Sequence, residues 1–370
     1  MAPLLTAEQL ELKDSLRTFL ADQVSLAVVR KIFEGDTTLR STVWGKLMEL
    51  GVLSFFAESH SAGGGTVREL GMLASEAGYA LCPENLLEAA FVTHLLHTQL
   101  SETERSDVQS RFGADFLGLL SSGALRSSIA VSSIATSSGA SLSIEEGAKD
   151  GEVNLKARYV AGGDCCQVIL AIDSNSGTIW LCDHRVGRAA SVQRCPEKLL
   201  DRSQSLYAVE IRGCQAVKLS SLNPSTVWLQ WAAIKSSEIA GAARRTLEGT
   251  VEYLKTREQF DVPIGGFQAL QHAAADMMVK VEAMHALSDF ACWSASFSPD
   301  QLALAAHSAT LFCAEEAPKV VEKAIQLHGG IGFTWEHDLH LFLRRIRTVA
   351  ALVAPDDAGK ESLLLAALGA

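Results

Sequence analysis

Two separated segments of this 370-residue chain carry residue types suited to holding an anion. The first is Thr256-Arg257-Glu258-Gln259-Phe260, with Gln268 a little further on. The second is Gln326-Leu327-His328-Gly329-Gly330-Ile331-Gly332-Phe333. Arg257 brings a planar, permanently charged guanidinium that can bond two oxygens at once. Gly329-Gly330, just past a helical pattern, lets backbone N–H groups approach an anion without a Cβ in the way. Gln268 and Gln326 are neutral donor–acceptors. Each feature has an ordinary explanation as well. A Gly pair after a helix is most often a C-cap, and an arginine there complements the helix dipole. The segments carry weight only as a set.

Other groupings offer less chemistry. Ser61-Ala62-Gly63-Gly64-Gly65 has the glycine content of a phosphate loop, but no Lys-Ser/Thr follows and no clear strand precedes it, so it reads as a flexible loop. His337 and His340 stand at i, i+3 without a third ligand or a carboxylate partner, which favours structural roles and no metal. The eight cysteines form no C-x-x-C pair. They read as buried thiols of a reducing compartment, with Cys165-Cys166 a strand detail and not a redox device. Arg344, Arg345 and Arg347 make a basic run, read as surface pairing with the acidic remainder or as a partner contact.

The elements that position these residues follow from hydrophobic periodicity. Residues 1–125 are helical in pattern. Thr6 with Gln9 makes a capping box, and Leu12, Leu16, Phe19, Leu20 and Val24 then fall on one face. Trp44, Leu47 and Leu50 form a second stripe closed by Gly51. Glu69 to Leu100 is helical and broken near Cys82-Pro83. From 126 to 222 short apolar alternations such as Ile129-Val131, Val168-Leu170 and Ile179-Leu181, punctuated by Gly, Ser, Asn and Asp, predict a small β-domain. Asn223-Pro224 opens a second helical block, with Asn as N-cap and Pro at the first helical position. Helices are predicted to about Thr256, from about Phe267 to Ser296, from Pro299 to His328 with a kink at Pro318, and from Asp338 to Ala351. The result is an α+β chain in three domains: an N-terminal α-helical domain (1–125), a middle β-barrel (126–222) and a C-terminal four-helix bundle (223–370).

Bulk properties narrow the class. The chain is 48% hydrophobic and 6% aromatic, an ordinary globular composition with room for helix-rich packing or subunit contact. Its net charge of -11 argues against a nucleic-acid surface, which needs a basic stripe. No basic n-region with an apolar core opens the sequence, and no apolar run reaches membrane-spanning length. A cytoplasmic protein is the expectation.

The order helices, strands, bundle, together with the two segments described first and with Trp44 through Gly51 (W-x-x-L-x-x-x-G), resembles the acyl-CoA dehydrogenase family. The resemblance covers essentially the whole chain and is strongest from Ile239 to Arg347. It implies an FAD-dependent oxidoreductase that desaturates an acyl-CoA thioester between its α and β carbons and passes electrons to an electron-transfer flavoprotein. In that family FAD sits at a dimer interface, with the ADP end gripped by the neighbouring subunit. Carried over by motif position, the gripping residues here are Arg257, Phe260, Gln268, Gln326, Gly329 and Gly330.

The sequence departs from the family where the chemistry is done. A desolvated glutamate is the family's base. One branch carries it in Y-E-G-T, where this chain has Val353 within Ala351-Leu352-Val353-Ala354-Pro355. Other branches carry it on the first bundle helix, where this chain has Trp231-Ala232. The nearest carboxylates are Glu238, two helical turns past Trp231, and Asp356-Asp357. No catalytic residue is assigned. The family's T-E-P-G-A-G-S-D is replaced by Ala130-Val131-Ser132-Ser133, and its W-I-T-N by Tyr159-Val160-Ala161-Gly162. The half-site for a flavin ring is therefore eroded while the half that grips a neighbour's FAD is kept. That asymmetry resembles the small, non-catalytic subunits of heteromeric acyl-CoA dehydrogenases, several of which act on bulky CoA thioesters such as sterol side chains. The expected partner is a larger catalytic subunit in a heterotetramer. The alternatives are a self-sufficient homo-oligomer with a displaced base, a flavin-free structural relative, and a flavin monooxygenase on the same fold.

Overall fold

The computed structural model describes residues 4–58, 63–132, 141–147, 149, 151–353, 360, 361 and 363. Ser61, Ala62, Ser133, Ala354, Pro355, Asp356 and Asp357 lie outside the described residues. Eight helices come first: α1 (Ala7–Gln23), α2 (Leu26–Glu34), α3 (Thr38–Glu49), α4 (Val52–Ala57), α5 (Val67–Ala80), α6 (Leu86–Thr98), α7 (Glu102–Phe112) and α8 (Phe116–Ser121). Seven strands follow: β1 (Ser127–Val131), β2 (Leu142–Glu146), β3 (Glu152–Ala161), β4 (Val168–Asp173), β5 (Thr178–Asp183), β6 (Ser191–Pro196) and β7 (Leu206–Lys218). Then come α9 (Pro224–Thr256), a hairpin of β8 (Glu258–Gln259) and β9 (Val262–Pro263), α10 (Gln268–Phe297), α11 (Leu302–His328) and α12 (Leu339–Val353). The predicted order of helices, strands and helical bundle is the one found.

Local signals account for many of the boundaries. The capping box of Thr6 and Gln9 is formed in both directions and opens α1. Gly51 takes φ 74 and ends α3 in the left-handed conformation. The break expected near Cys82-Pro83 separates α5 from α6, with Leu81 at φ 54. Asn223 caps α9, its Oδ1 accepting from the Thr226 N–H at 3.0 Å.

Packing sorts the chain into two compact units: residues 1–34, 67–82 and 232–370 form one, residues 35–66 and 83–231 the other. In the first, α5 packs on α1 and α10, and α10, α11 and α12 pack in succession. Small residues bring α5 and α9 close. A Cβ on Gly241 would lie 1.8 Å from the Ser75 carbonyl oxygen, and one on Gly78 would lie 2.0 Å from that of Glu238. In the second unit a seven-stranded sheet has the order β1-β4-β5-β7-β3-β2, with β6 added on β7. Only the β1–β4 pairing is parallel among the described strands. β1 also packs on β3, far from it in the strand order, so the sheet curls into a half-barrel, where the sequence predicted a barrel. Its core is apolar and includes the thiols of Cys166, Cys182 and Cys214. Cys165 and Cys195, expected to be buried, are exposed.

Candidate functional site

The candidate anion-holding residues lie in the first unit, around the ends of α9 and α11. α9 runs out at Thr256, and Arg257 leads directly into the β8–β9 hairpin. The hairpin turn is Phe260-Asp261, with φ 56 and 61, the two positive values a two-residue type I′ connection requires. The turn projects Phe260 outward, 87% exposed, with its ring edge-on to Phe267 at 6.1 Å. Gln268 is the first residue of α10. Tyr253, one turn before Arg257, stacks on His328 at 4.3 Å and donates from its hydroxyl to the His328 carbonyl. His328 directly precedes Gly329, so the segment carrying Arg257 and the Gly329-Gly330 turn leave the bundle side by side. This Tyr253–His328 link was not foreseen from sequence. Its signal was the spacing of Tyr253, four residues before Arg257 on the same helix face.

All six residues face solvent. Among the described residues, the Arg257 guanidinium and the carboxamides of Gln268 and Gln326 have no hydrogen-bond or ion-pair partner, so their bonding capacity is uncommitted. Gly329 takes φ 65 and ψ -141, a conformation closed to residues with a Cβ. A Cβ built on Gly329 or Gly330 would meet nothing within 4 Å, so the backbone at both is open to an approaching group. A charged fork, two neutral amides and an open glycine turn fit the ADP part of a dinucleotide.

The two expected base positions are sealed. Val353 is 2% exposed and Trp231 6%. Trp231 stacks on Phe91 with ring centroids 5.6 Å apart, and Phe91 is itself fully buried. Glu238 is 2% exposed and sits between two cations. Its Oε1 lies 3.4 Å from Arg345 Nη1, and its other oxygen pairs with Lys235, itself buried. Arg345 also donates from Nη1 to the Cys82 carbonyl at 3.0 Å and from Nη2 to the Leu81 carbonyl at 3.3 Å. A general base needs a path to its substrate. Glu238 is instead enclosed in an ion-paired network.

That network corrects the reading of the basic run. Arg347 does pair on the surface with Glu322 at 3.0 Å, and Arg344 lies over the rings of Phe33 and Trp335. Arg345, between them, is 1% exposed. It falls on the apolar stripe of α12, four residues after Leu341 and four before Val349, and that spacing was the signal available in the sequence. The two histidines singled out earlier have separate roles. His337 packs edge-on to His328, while His340 stacks on Trp335.

In the second unit the segments replacing the flavin-ring motifs are tightly held. Ala130, Val131 and Ser132 are all buried at the end of β1. Tyr159 takes φ 59 at an irregularity in the β3–β7 ladder. The Arg158 guanidinium lies 4.8 Å over its ring and pairs with Glu197 at 2.8 Å.

The chain is similar to known proteins over nearly its whole length. Residues 229–352 match the family described as acyl-CoA dehydrogenase, C-terminal domain. The acyl-CoA dehydrogenase IpdE2 of Mycobacterium tuberculosis is 29% identical over 349 residues, spanning 94% of this chain and 93% of that protein. A chain of the ChsE4–ChsE5 complex from Mycobacterium tuberculosis superposes with TM-score 0.79 at 20% identity, covering 100% of this chain and 99% of the other. A chain of the Tcur3481–Tcur3483 steroid ACAD gives TM-score 0.79 at 21% identity, covering 98% of each. At those identities the two superpositions show a shared fold.

Proposed function

We propose that this chain is a member of the acyl-CoA dehydrogenase family and the supporting subunit of a heteromeric FAD-dependent acyl-CoA dehydrogenase. The observation that carries the reading is the contrast between its two half-sites. The positions of the base hold the buried Val353 and the stacked Trp231, while Arg257, Gln268, Gln326, Gly329 and Gly330 stay exposed and uncommitted. Loss of function alone would erode both halves alike.

In this reading Arg257 places its fork on the diphosphate of a partner's FAD, and Gly329-Gly330 brings backbone N–H groups to the same end. Gln268 and Gln326 contact the ribose or adenine, and Phe260 covers them from the hairpin. FAD, when bound, supplies the hydride acceptor for the desaturation. The base belongs to the partner. Two neighbours in fold carry names that support a hetero-oligomer and a bulky acyl group: one is a complex of two differently named chains, the other a steroid ACAD. By the same analogy we assign the assembly a large, ring-bearing CoA thioester.

The test is the visible spectrum and native mass of the chain purified alone and after co-expression with a larger homologue. The expected result is no stoichiometric flavin alone and a flavin-loaded hetero-oligomer together. A homotetramer with one flavin per chain that oxidises an acyl-CoA would refute the proposal.

A further inference from the structure

A second feature of the first unit lies away from the residues assigned to FAD. Arg17 on α1 and Arg244 and Arg245 on α9 gather around Tyr79 on α5, and Lys13 on α1 lies within electrostatic reach of Arg17 and Arg244. The guanidinium carbons of Arg17, Arg244 and Arg245 lie 4.9, 5.1 and 5.1 Å from the centre of the Tyr79 ring. Two carboxylates stand among them. Glu76 is fully used: its Oε2 accepts from Arg17 Nε at 3.0 Å and its Oε1 from Arg244 Nη2 at 2.7 Å. Glu248 accepts from the Tyr79 hydroxyl at 2.5 Å and approaches Arg244 Nε only to 4.0 Å.

The remaining cations are poorly matched. Among the described residues Arg245 makes one hydrogen bond, to the Tyr79 hydroxyl at 3.1 Å. Among the described residues Lys13 has no hydrogen-bond or ion-pair partner, and the buried Arg244 Nε has no hydrogen bond, only the long 4.0 Å approach of Glu248. Burial, Arg244 and Arg17 push the Lys13 amine below its usual range, with Glu76 and, more weakly, Asp14, exposed on α1, acting the other way. The nearby His285 is pushed down to about 3 by burial and by Arg244, Lys13 and Arg17, so it adds no charge at neutral pH. Four cations face two inner carboxylates, which leaves two positive charges in excess on a chain of net charge -11. Half-buried like charges repel, and an arrangement of this kind is favourable when an anion joins it.

We propose that Lys13, Arg17, Arg244 and Arg245 form a binding site for a phosphate monoester. A dianion matches the excess of two charges, and several guanidiniums suit a group with three oxygens. Arg245 and Glu248 also line an open cavity of about 830 Å³. Leu247, Val251, Met278 and Phe342 offer an apolar surface to the organic part of the ester, while the cavity lining also holds Glu252, Asp338 and the Tyr253–His328 stack, which the phosphate end would avoid.

The experiment titrates the full chain, at constant ionic strength, with inorganic phosphate and with adenosine 3′-monophosphate, followed by calorimetry and 31P line width. Three variants are compared: Lys13→Met, Arg245→Gln and Arg257→Ala. Saturable binding of the ester, tighter than inorganic phosphate, is expected. Lys13→Met and Arg245→Gln each weaken it by about tenfold, the cost of removing a charged donor, and Arg257→Ala leaves it unchanged. Lys13→Met also raises the Tm in phosphate-free buffer, because an unmatched charge is gone, and this shows that the variant is folded. Equal affinity for both probes would replace the ester with free phosphate. Absence of saturable binding, or binding lost in Arg257→Ala and kept in the other two variants, would overturn the site. None of these outcomes depends on the oligomeric state or flavin content that tests the supporting-subunit proposal.

Discussion

Glu238→Gln separates two roles open to this buried glutamate, structural ion-pair member and catalytic base. In the structure Glu238 is flanked by Lys235 and Arg345, with side-chain exposures of 3%, 4% and 1% for the three residues. The substitution keeps the volume and removes the negative charge. Two cations then remain buried without their carboxylate. Breaking a buried ion pair from one side costs about 3–5 kcal/mol. For a cooperative unit of 150–250 residues each kcal/mol lowers Tm by about 2–4 °C, so the expected drop is about 6–20 °C. Lys235→Met costs less, because Glu238 keeps Arg345. Arg345→Met costs at least as much as Glu238→Gln, because it also strips donors from the carbonyls of Leu81 and Cys82, at about 1–3 kcal/mol for each buried group left unpaired. The assay is thermal unfolding of the full chain, paired with turnover of the co-expressed complex at a temperature where the variant is folded. Turnover is expected to survive. A Glu238→Gln chain as stable as the parent but without turnover would refute the argument and make Glu238 the displaced base.

Further outcomes follow from single contacts. Arg257→Ala is expected to weaken FAD retention of the complex by about 10- to 150-fold, the value of losing about 1.5–3 kcal/mol of charged hydrogen bonding, read as flavin remaining after dialysis. Gly241→Ala is expected to destabilise by about 1–3 kcal/mol, since its Cβ would meet the Ser75 carbonyl at 1.8 Å and α5 must shift from α9. Gly249→Ala, on the same helix with nothing within 4 Å, is expected to stabilise by about 0.5–1 kcal/mol, and chemical denaturation compares the two. Burial holds the His184 imidazole down at about 4, with one ring nitrogen against the Cys166 carbonyl at 2.9 Å. Its folded-state affinity for a proton is thus below that of the unfolded chain. The stability it contributes is complete above pH 6.5 and is lost toward pH 4, at a slope of about 1.4 kcal/mol per pH unit. His184→Leu should flatten the dependence of the urea midpoint over that window.

Much of the fold was legible because its signals are local. A capping box, an Asn-Pro start and a Cys-Pro break fixed the limits of α1, α9 and α5 from a few residues each. The sheet was legible as strands and not as a topology. The parallel β1–β4 pairing joins Ser127 to Val168, and no short-range pattern records which strand lies beside which. The candidate site divides in the same way. Arg257, Gln268 and Gly329 stood out by residue type. The stack of Tyr253 on His328, which brings their segments together, is a tertiary contact. Arg345 was misplaced because three arginines within four residues suggest a solvated face, yet α12 has one apolar stripe and Arg345 is on it.

The burial of Arg345 has a cause that runs back to the end of α5. Leu81 adopts a left-handed conformation, fully buried, and Cys82 beside it is 4% exposed. The helix stops there, so the carbonyls of both residues lack helical partners. A buried carbonyl needs a donor. Arg345 supplies one to each, reaching both from α12 with a single guanidinium. A guanidinium brought inside for that purpose needs a counter-charge, and Glu238 on α9 provides it with Lys235 alongside. The carboxylate nearest to the family's catalytic positions therefore has a complete structural account, in which it closes one helix end through one arginine. The same residue cannot also be turned toward a substrate without releasing Arg345 and two backbone carbonyls. That linkage, and not distance alone, is the argument against Glu238 as a base.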